Sequence, residues 1–385
     1  MTMLPDFRLE TYLSKWEFAA RYHMTASDME SLTVAELLAM GTPEDRAAFE
    51  QMRLAYIETF GTPALRAAVA ATYRGPPGEA VAPEDVIAFA GAEEGIFCAM
   101  HALLDRDSHA VIVTPNYQSS ETLPLSICAT TGIALREREN WALDLDEVRA
   151  ALRPNTRLVL VNFPHNPTGK VIDRATFDGL VALCAGRGIH LFSDEVYRGL
   201  ERRPEIRLPQ AAEVYERGIS LNVMSKAYGL PGLRVGWIAC RDRDLLSRME
   251  RIKHYLSICN AGPSEHLAVI ALKAHERILA RNLALIETNL GAMNAFFAEF
   301  PELFDWRVPD GGCIGFPRYK GQDGVETFCR RLAEEIGVVL LPAGIYQSAL
   351  TPTPTDRFRI GFGRSYVPEG LAAMRAWLRS NRRAA

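Results

Sequence analysis

Through the middle of the chain, short β-branched apolar runs alternate with stretches that repeat apolar positions at helical spacing. The runs fall at residues 86–90, 110–114, 158–162, 189–193, 219–223 and 235–240; helix-period segments at 94–104 and 174–187 lie between them, and one at 243–256 follows. The runs are almost wholly apolar rather than alternating, as expected of strands covered on both faces. Their alternation with helices predicts crossover units and a large, mostly parallel sheet in an α/β fold. Residues 264–300 keep a helical period with no internal proline or strong turn signal, which predicts one long helix bridging two domains. Beyond it, GGCIGFPRY, residues 337–342 and RFRIGFGR predict the short strands and helices of a smaller α+β domain. The expected division is an N-terminal segment (1–43) folded onto the small domain, a large α/β domain (44–263), and the bridging helix with the small domain (264–385).

Composition narrows the class of protein. A chain of 385 residues, 48% hydrophobic and 23% charged, is long enough for two domains and a sizeable core. A net charge of −4 with mixed signs leaves no basic footprint for nucleic acid and no polybasic patch for a membrane surface. The first residues, MTMLPDFRLETYL, lack the basic start and apolar stretch of a signal peptide, and no apolar run is long enough to span a bilayer. Seven scattered cysteines without a CxxC pair, and eight histidines without ligand spacing, suggest reduced thiols in a cytoplasm and no metal site.

Candidate chemistry gathers at the ends of the predicted strands. Asp194 opens DEVY after an apolar run, and Lys226 sits in MSKAYGLPGLRVGW, one of six lysines against 37 arginines. A carboxylate that holds positive charge on a ring nitrogen, and a lysine in apolar surroundings that can form a Schiff base, are what pyridoxal phosphate chemistry needs. Asn166, in NFPHNPTGK, follows the run at 158–162, where an open α/β sheet binds ligands, though Asn-Pro and Thr-Gly also make an ordinary turn. Asp194 could equally cap a helix, and Tyr197 lies three residues on. Arg234 follows a Gly- and Pro-rich turn from which it could grip a phosphate. Gly91 stands between a strand and a helix start, an arrangement that offers backbone N–H groups to phosphate. Tyr117, in TPNYQS, could stack on a planar ring. Arg359 interrupts an otherwise apolar strand; it is either an exposed edge residue or a buried cation awaiting a carboxylate.

Together these motifs resemble the class I/II aminotransferases, the fold-type I enzymes that use pyridoxal phosphate, over nearly the whole chain. NFPHNPTG, SKAYGLPGLRVGW and GGCIGFPRY are especially similar to capreomycidine synthase-like members. The resemblance implies a seven-stranded sheet in the large domain. It also implies that Lys226 carries the cofactor and shuttles a proton, and that Asp194 pairs with the ring nitrogen. Asn166 and Tyr197 would bind the ring oxygen, and Tyr117 would stack on the ring. The backbone at Ala92 and Glu93, with Ser225 and Arg234, would hold the phosphate, and Arg359 the substrate α-carboxylate. AYIETFGTPALR resembles a segment whose tyrosine, here Tyr56, reaches the phosphate of a neighbouring subunit, which implies a homodimer with shared sites. Two positions depart from the pattern. Val223 replaces a hydroxyl residue that usually touches phosphate, and Glu93 would repel a dianion unless its side chain turns away.

The leading expectation is amino transfer between an L-amino acid and a 2-oxo acid. The alternative from the same chemistry is elimination or cyclisation of an amino acid, as in capreomycidine synthase-like enzymes. A non-enzymatic pyridoxal phosphate-sensing regulator needs a DNA-binding domain, and both the early Tyr56 motif and the negative charge speak against it. Side-chain selectivity is expected from the N-terminal segment, including residues 16–22.

Overall fold

The computed structural model describes residues 4–75 and 80–382. Its centre is a seven-stranded sheet: β1 (Val86–Phe89), β2 (His109–Thr114), β3 (Ala129–Ala134), β4 (Thr156–Asn162), β5 (His190–Asp194), β6 (Gly218–Val223) and β7 (Gly236–Ala239), in the order β1-β7-β6-β5-β4-β2-β3. Strands β3, β2, β4, β5 and β6 run parallel to one another, while β7 is antiparallel to both β6 and β1. Successive side chains point to opposite faces, so β1 sends Val86 and Ala88 into one core and Ile87 and Phe89 into the other. Leu158 and Leu160 of β4 likewise join one face, and Val159 and Val161 the opposite one. Both faces are therefore covered, which is why these strands read as continuous apolar runs.

Two sequence expectations are corrected. β3 was not foreseen: its sequence, ATTGIA, is small and polar because it is an edge strand whose residues are mostly half-buried. The stretch 264–300 is two helices, Gly262–Lys273 and His275–Glu299, separated at Ala274 (φ −97°, ψ 14°). The first packs on the helix Pro63–Ala70 and the second on the C-terminal helix Val367–Arg382, so one straight rod could not serve both neighbours. Hydrogen bonding continues through the bend, Ala274 N–H to Ile270 O at 3.0 Å and Ile278 N–H to Ala274 O at 3.1 Å, so the sequence needs no breaker there.

Beyond the helices lie two small sheets. Strands β8 (Phe304–Asp305) and β10 (Arg318–Tyr319) pair, and β9 (Ile314–Gly315), β11 (Leu341–Pro342) and β12 (Phe358–Gly361) form the order β11-β12-β9. The chain near residues 22–30 runs beside the three-stranded sheet. Tyr22 N–H reaches Gly337 O (2.9 Å), Gly361 N–H reaches Met24 O (2.7 Å), and Glu30 N–H reaches Gly363 O (2.8 Å). This places residues 23–28 between β12 and the ends of β5 and β6. Among the described residues every cysteine is free, no helix is long and apolar enough to cross a membrane, and no cluster of metal-ligating side chains occurs.

Candidate active site

A cavity of about 590 Å³ opens at the carboxyl ends of β4, β5 and β6. Parallel pairing sets Asn162 opposite Asp194, the last residues of β4 and β5. The Asn162 amide donates to the Asp194 carbonyl (2.9 Å), and its Oδ1 accepts from the Asn166 N–H (2.7 Å), which ties the loop after β4 to the end of β5. The Asp194 carboxylate is buried and accepts from Val196 N–H (3.1 Å). Burial pushes its pKa up to about 6, against the pull of that N–H and of the Lys226 charge. A cation facing this carboxylate would draw it back toward its ordinary range.

Lys226 follows β6 and points into the same cavity. Its Nζ donates to Ser27 Oγ at 3.1 Å, and no carboxylate lies within ion-pair distance among the described residues. Burial, then the positive charge of Arg359, lowers its pKa below the usual lysine range, which favours the neutral, nucleophilic amine. The backbone of the next residue is tied down by Asn282, whose amide donates to Ala227 O at 2.8 Å.

At the next strand end, Gly91 adopts φ +95° before the helix Ala92–Leu103. A Cβ there would stand 2.4 Å from Arg234 Nη2, and a Cβ on Gly236 would stand 2.9 Å from Ala92 N. Two bare Cα atoms thus let a guanidinium and a helix N-terminus share one corner of the cavity. Arg234 holds a left-handed conformation (φ 49°), and its hydrogen bonds among the described residues are long, 3.4 Å to Pro231 O and to Ala90 O. Ala92, Glu93, Ser225 and Val223 line the same end. Glu93 does not turn to solvent; its carboxylate accepts from Ser119 Oγ (2.9 Å), and burial lifts its pKa to about 7. A carboxyl that keeps its proton near neutrality removes much of the repulsion its position implies.

Arg359, in the middle strand β12, is only 1% exposed, which rules out the edge-strand alternative. Its partners are neutral: Thr25 Oγ1 (3.2 Å), Thr25 O (2.9 Å), the Tyr346 hydroxyl (2.9 Å) and, at 3.5 Å, Asn166 Oδ1. The Tyr346 hydroxyl also donates to Asn166 Oδ1 (2.9 Å), which leaves the Asn166 NH₂ as its free side. Tyr197 is 1% exposed, lines the cavity, and among the described residues its hydroxyl has no hydrogen-bond partner. Tyr117 forms part of the wall, its ring 5.3 Å from Phe7 and its hydroxyl 3.4 Å from Glu10 Oε1.

Of the expected site residues, Ala92, Glu93, Tyr117, Asn166, Asp194, Tyr197, Ser225, Lys226, Arg234 and Arg359 converge here, with Gly91 directly behind Arg234. Tyr56 does not; it is 85% exposed and lines a separate shallow hollow with Cys259 and Pro263. Thr25, Ser27, Asn162 and Tyr346 escaped the sequence reading, since nothing local distinguishes a polar residue that serves a distant strand. A second hollow, of about 340 Å³ around the ion pairs of Glu137 with Arg318 and Arg357, contains none of the expected residues.

The donor set fits pyridoxal phosphate. A bare-glycine corner with a guanidinium suits its phosphate, the buried Asp194 a positively charged ring nitrogen, and the orphaned Tyr197 hydroxyl with the free Asn166 amide a ring oxygen. Comparison with known proteins agrees. The family described as aminotransferase class I and II matches residues 27–367. Capreomycidine synthase of Streptomyces vinaceus is 33% identical over 96% of this chain and 93% of its own. A probable N-succinyldiaminopimelate aminotransferase of Mycobacterium tuberculosis is 28% identical over 74% of this chain and 73% of its own. A crystal structure of a PLP-dependent aminotransferase from Streptococcus suis superposes with a TM-score of 0.90 at 30% identity, covering 99% of both chains.

Proposed function

The chain belongs to the aminotransferase class I and II family, whose cofactor is pyridoxal phosphate, and from that membership we propose that it moves an amino group between an L-amino acid and a 2-oxo acid. The observation that carries this reading is Arg359. It is a buried guanidinium with only neutral partners, beside the cavity that also holds Lys226 and Asp194. Such a charge is stabilised by a carboxylate that forms two parallel hydrogen bonds with it, and every amino acid and 2-oxo acid brings one.

Bound pyridoxal phosphate supplies an electron sink that acidifies the α-C–H of an attached amino acid. The protein's part is positional. Arg359 would orient the substrate by its α-carboxylate, with Thr25 and Tyr346 fixing the guanidinium plane. The Lys226 Nζ, its pKa lowered by burial, would take the Cα proton and return it during transfer. Asp194 would keep a ring nitrogen positive, and Asn166 and Tyr197 would donate to the ring oxygen, while Tyr117 would cover one ring face. The backbone at Ala92 and Glu93, with Ser225 and Arg234, would hold the phosphate. In the same reading the chain divides at about residues 43 and 263, and two copies form a homodimer in which Tyr56 reaches the partner's phosphate.

A second reading, elimination or cyclisation of an amino acid, is favoured by one observation: the 33% identity to capreomycidine synthase over 96% of this chain. Mixing the holoenzyme with a panel of amino acids separates the two. Conversion to the pyridoxamine spectrum with release of a 2-oxo acid supports amino transfer; ammonia or a cyclic product supports the second reading.

A further inference from the structure

We propose that Tyr346 is a positioning residue for the cofactor's ring: its hydroxyl holds the Asn166 amide with the NH₂ toward the ring oxygen, and so links that oxygen to Arg359. The inference rests on the reading above, because Asn166 and Arg359 keep the roles given there. Its basis is the order of donors and acceptors, which chemistry alone settles. A guanidinium only donates, so the Tyr346 hydroxyl accepts from Arg359 Nη1 (2.9 Å). Its single proton is then left for Asn166 Oδ1, also at 2.9 Å. Turning the Asn166 amide over would set its NH₂ against Arg359 Nη1, now 3.5 Å from Oδ1, and leave the hydroxyl proton without its acceptor. Hydrogen bonds therefore run in one direction, from Arg359 through Tyr346 to Asn166 and on to the ring oxygen, and each donor is polarised by the one behind it.

The placement of Tyr346 is fixed from several sides. It ends the turn Ala343–Tyr346, between β11 and β12, and its ring meets Phe316 edge-on with centroids 5.6 Å apart. Just beyond it the chain is fastened to the large sheet's side of the cavity. The buried Glu121, in the helix Ser119–Ile127, accepts from Ser348 Oγ and Ala349 N–H, both at 2.7 Å. Thr351 Oγ1 then meets Thr114 Oγ1 at the end of β2 (2.6 Å). On the other side, Asn162 Oδ1 holds the Asn166 N–H. Arg359, Tyr346 and Asn166 are all buried, so water competes little for these bonds. Burial also raises the Tyr346 pKa against the pull of Arg359, so the phenol keeps the proton it donates.

A tyrosine that only braced Arg359 would affect the capture of a carboxylate and nothing else. The arrangement here reaches further. Without the hydroxyl, the Asn166 oxygen is left to Arg359 Nη1, and its NH₂ is no longer held toward the ring oxygen. The loss is therefore felt at the cofactor before any substrate arrives.

The test is an absorbance titration of the substrate-free holoenzyme across the neutral pH range. Hydrogen bonds to the ring oxygen stabilise its negative form, so weaker donation from Asn166 moves the change between the cofactor's acidic and basic spectra to higher pH. Tyr346→Phe should raise that transition by about half to one pH unit, the scale of one hydrogen bond. Asn166→Ala should raise it at least as far, and adding Tyr346→Phe to Asn166→Ala should move it no further. Coincident curves for the wild type and Tyr346→Phe would overturn the proposal, even if kcat/KM falls, because Tyr346 would then brace Arg359 alone. A Tyr346→Phe shift of the same size in the absence of Asn166 would also overturn it. The titration needs no substrate, which separates it from the reading above. If amino acids yield ammonia or a cyclic product while the curves differ as expected, amino transfer falls and this inference stands. If a 2-oxo acid forms while the curves coincide, this inference falls and amino transfer stands.

Discussion

At the scale of single residues, the chemistry depends on two basic side chains buried against their preference. Arg359 is surrounded by Thr25, Tyr346 and Asn166, none of which offers a charge, so the guanidinium gains most when a carboxylate arrives. Lysine carries the charge but lacks the planar fork. Arg359→Lys is therefore expected to cost about 2–4 kcal/mol in kcat/KM, with cofactor absorbance unchanged. Steady-state kinetics checks this, and loss of cofactor instead of activity would reassign the residue. Burial, helped by the nearby Arg359 charge, lowers the Lys226 pKa and so favours its neutral amine. Lys226→Ala should abolish both the cofactor's bound absorbance and turnover, and borohydride reduction followed by peptide mapping should label Lys226 in the unmodified protein and no other lysine.

At the scale of elements, the site is a row of strand ends tied together by buried polar links. His165 is the clearest of these. Its ring bridges the loop after β2, through Pro115 O (2.8 Å), and its own loop after β4, through Thr168 Oγ1 (2.8 Å). Burial depresses its pKa to about 4, so the neutral form belongs to the folded state and the unfolded chain binds the proton first. The stabilisation is complete above pH 6.5 and is lost as pH falls toward 4; the difference corresponds to about 3 kcal/mol. His165→Gln should flatten the acid limb of stability against pH in denaturant titrations between pH 7 and 4. An unchanged limb would show that His165 does not carry it. Much of this row could be read from the sequence, because Asn166, Asp194 and Lys226 each follow an apolar run within a few residues and Arg234 directly precedes one. What could not be read lies where the signal is not local. β3 is too small and polar to stand out from a loop. The bend at Ala274 keeps its hydrogen bonds and so needs no proline or glycine. Thr25 and Tyr346 matter only because β12 passes beside them, more than 330 residues from Thr25 in sequence but 2.9 Å from its carbonyl.

At the scale of the whole molecule, the segment around Tyr56 presents large apolar side chains to solvent: Leu54 is 88% exposed, Tyr56 85% and the neighbouring Tyr255 91%. Loose packing does not account for this. The buried Lys253 donates to Thr59 O (2.6 Å) and to Ala88 O in β1 (2.7 Å), fixing the chain three residues from Tyr56 to the sheet. Thr59 Oγ1 also meets His254 at 3.3 Å, which joins the two exposed segments. An apolar patch held rigidly in water is what an association surface requires, and it supports the proposed homodimer. Two substitutions separate pairing from cofactor contact. Tyr56→Phe keeps the apolar ring and removes one hydroxyl, so the protein should remain dimeric while pyridoxal phosphate retention weakens by about 1 kcal/mol, the scale of one hydrogen bond. Leu54→Asp places a charge on the patch and should shift the protein toward monomer, with a larger loss of cofactor because both shared contacts go together. Sedimentation velocity at micromolar concentration, paired with cofactor release rates, reads both effects. A wild-type monomer that retains pyridoxal phosphate tightly would contradict the shared site, since a single chain leaves Tyr56 outside the cavity that Lys226 occupies.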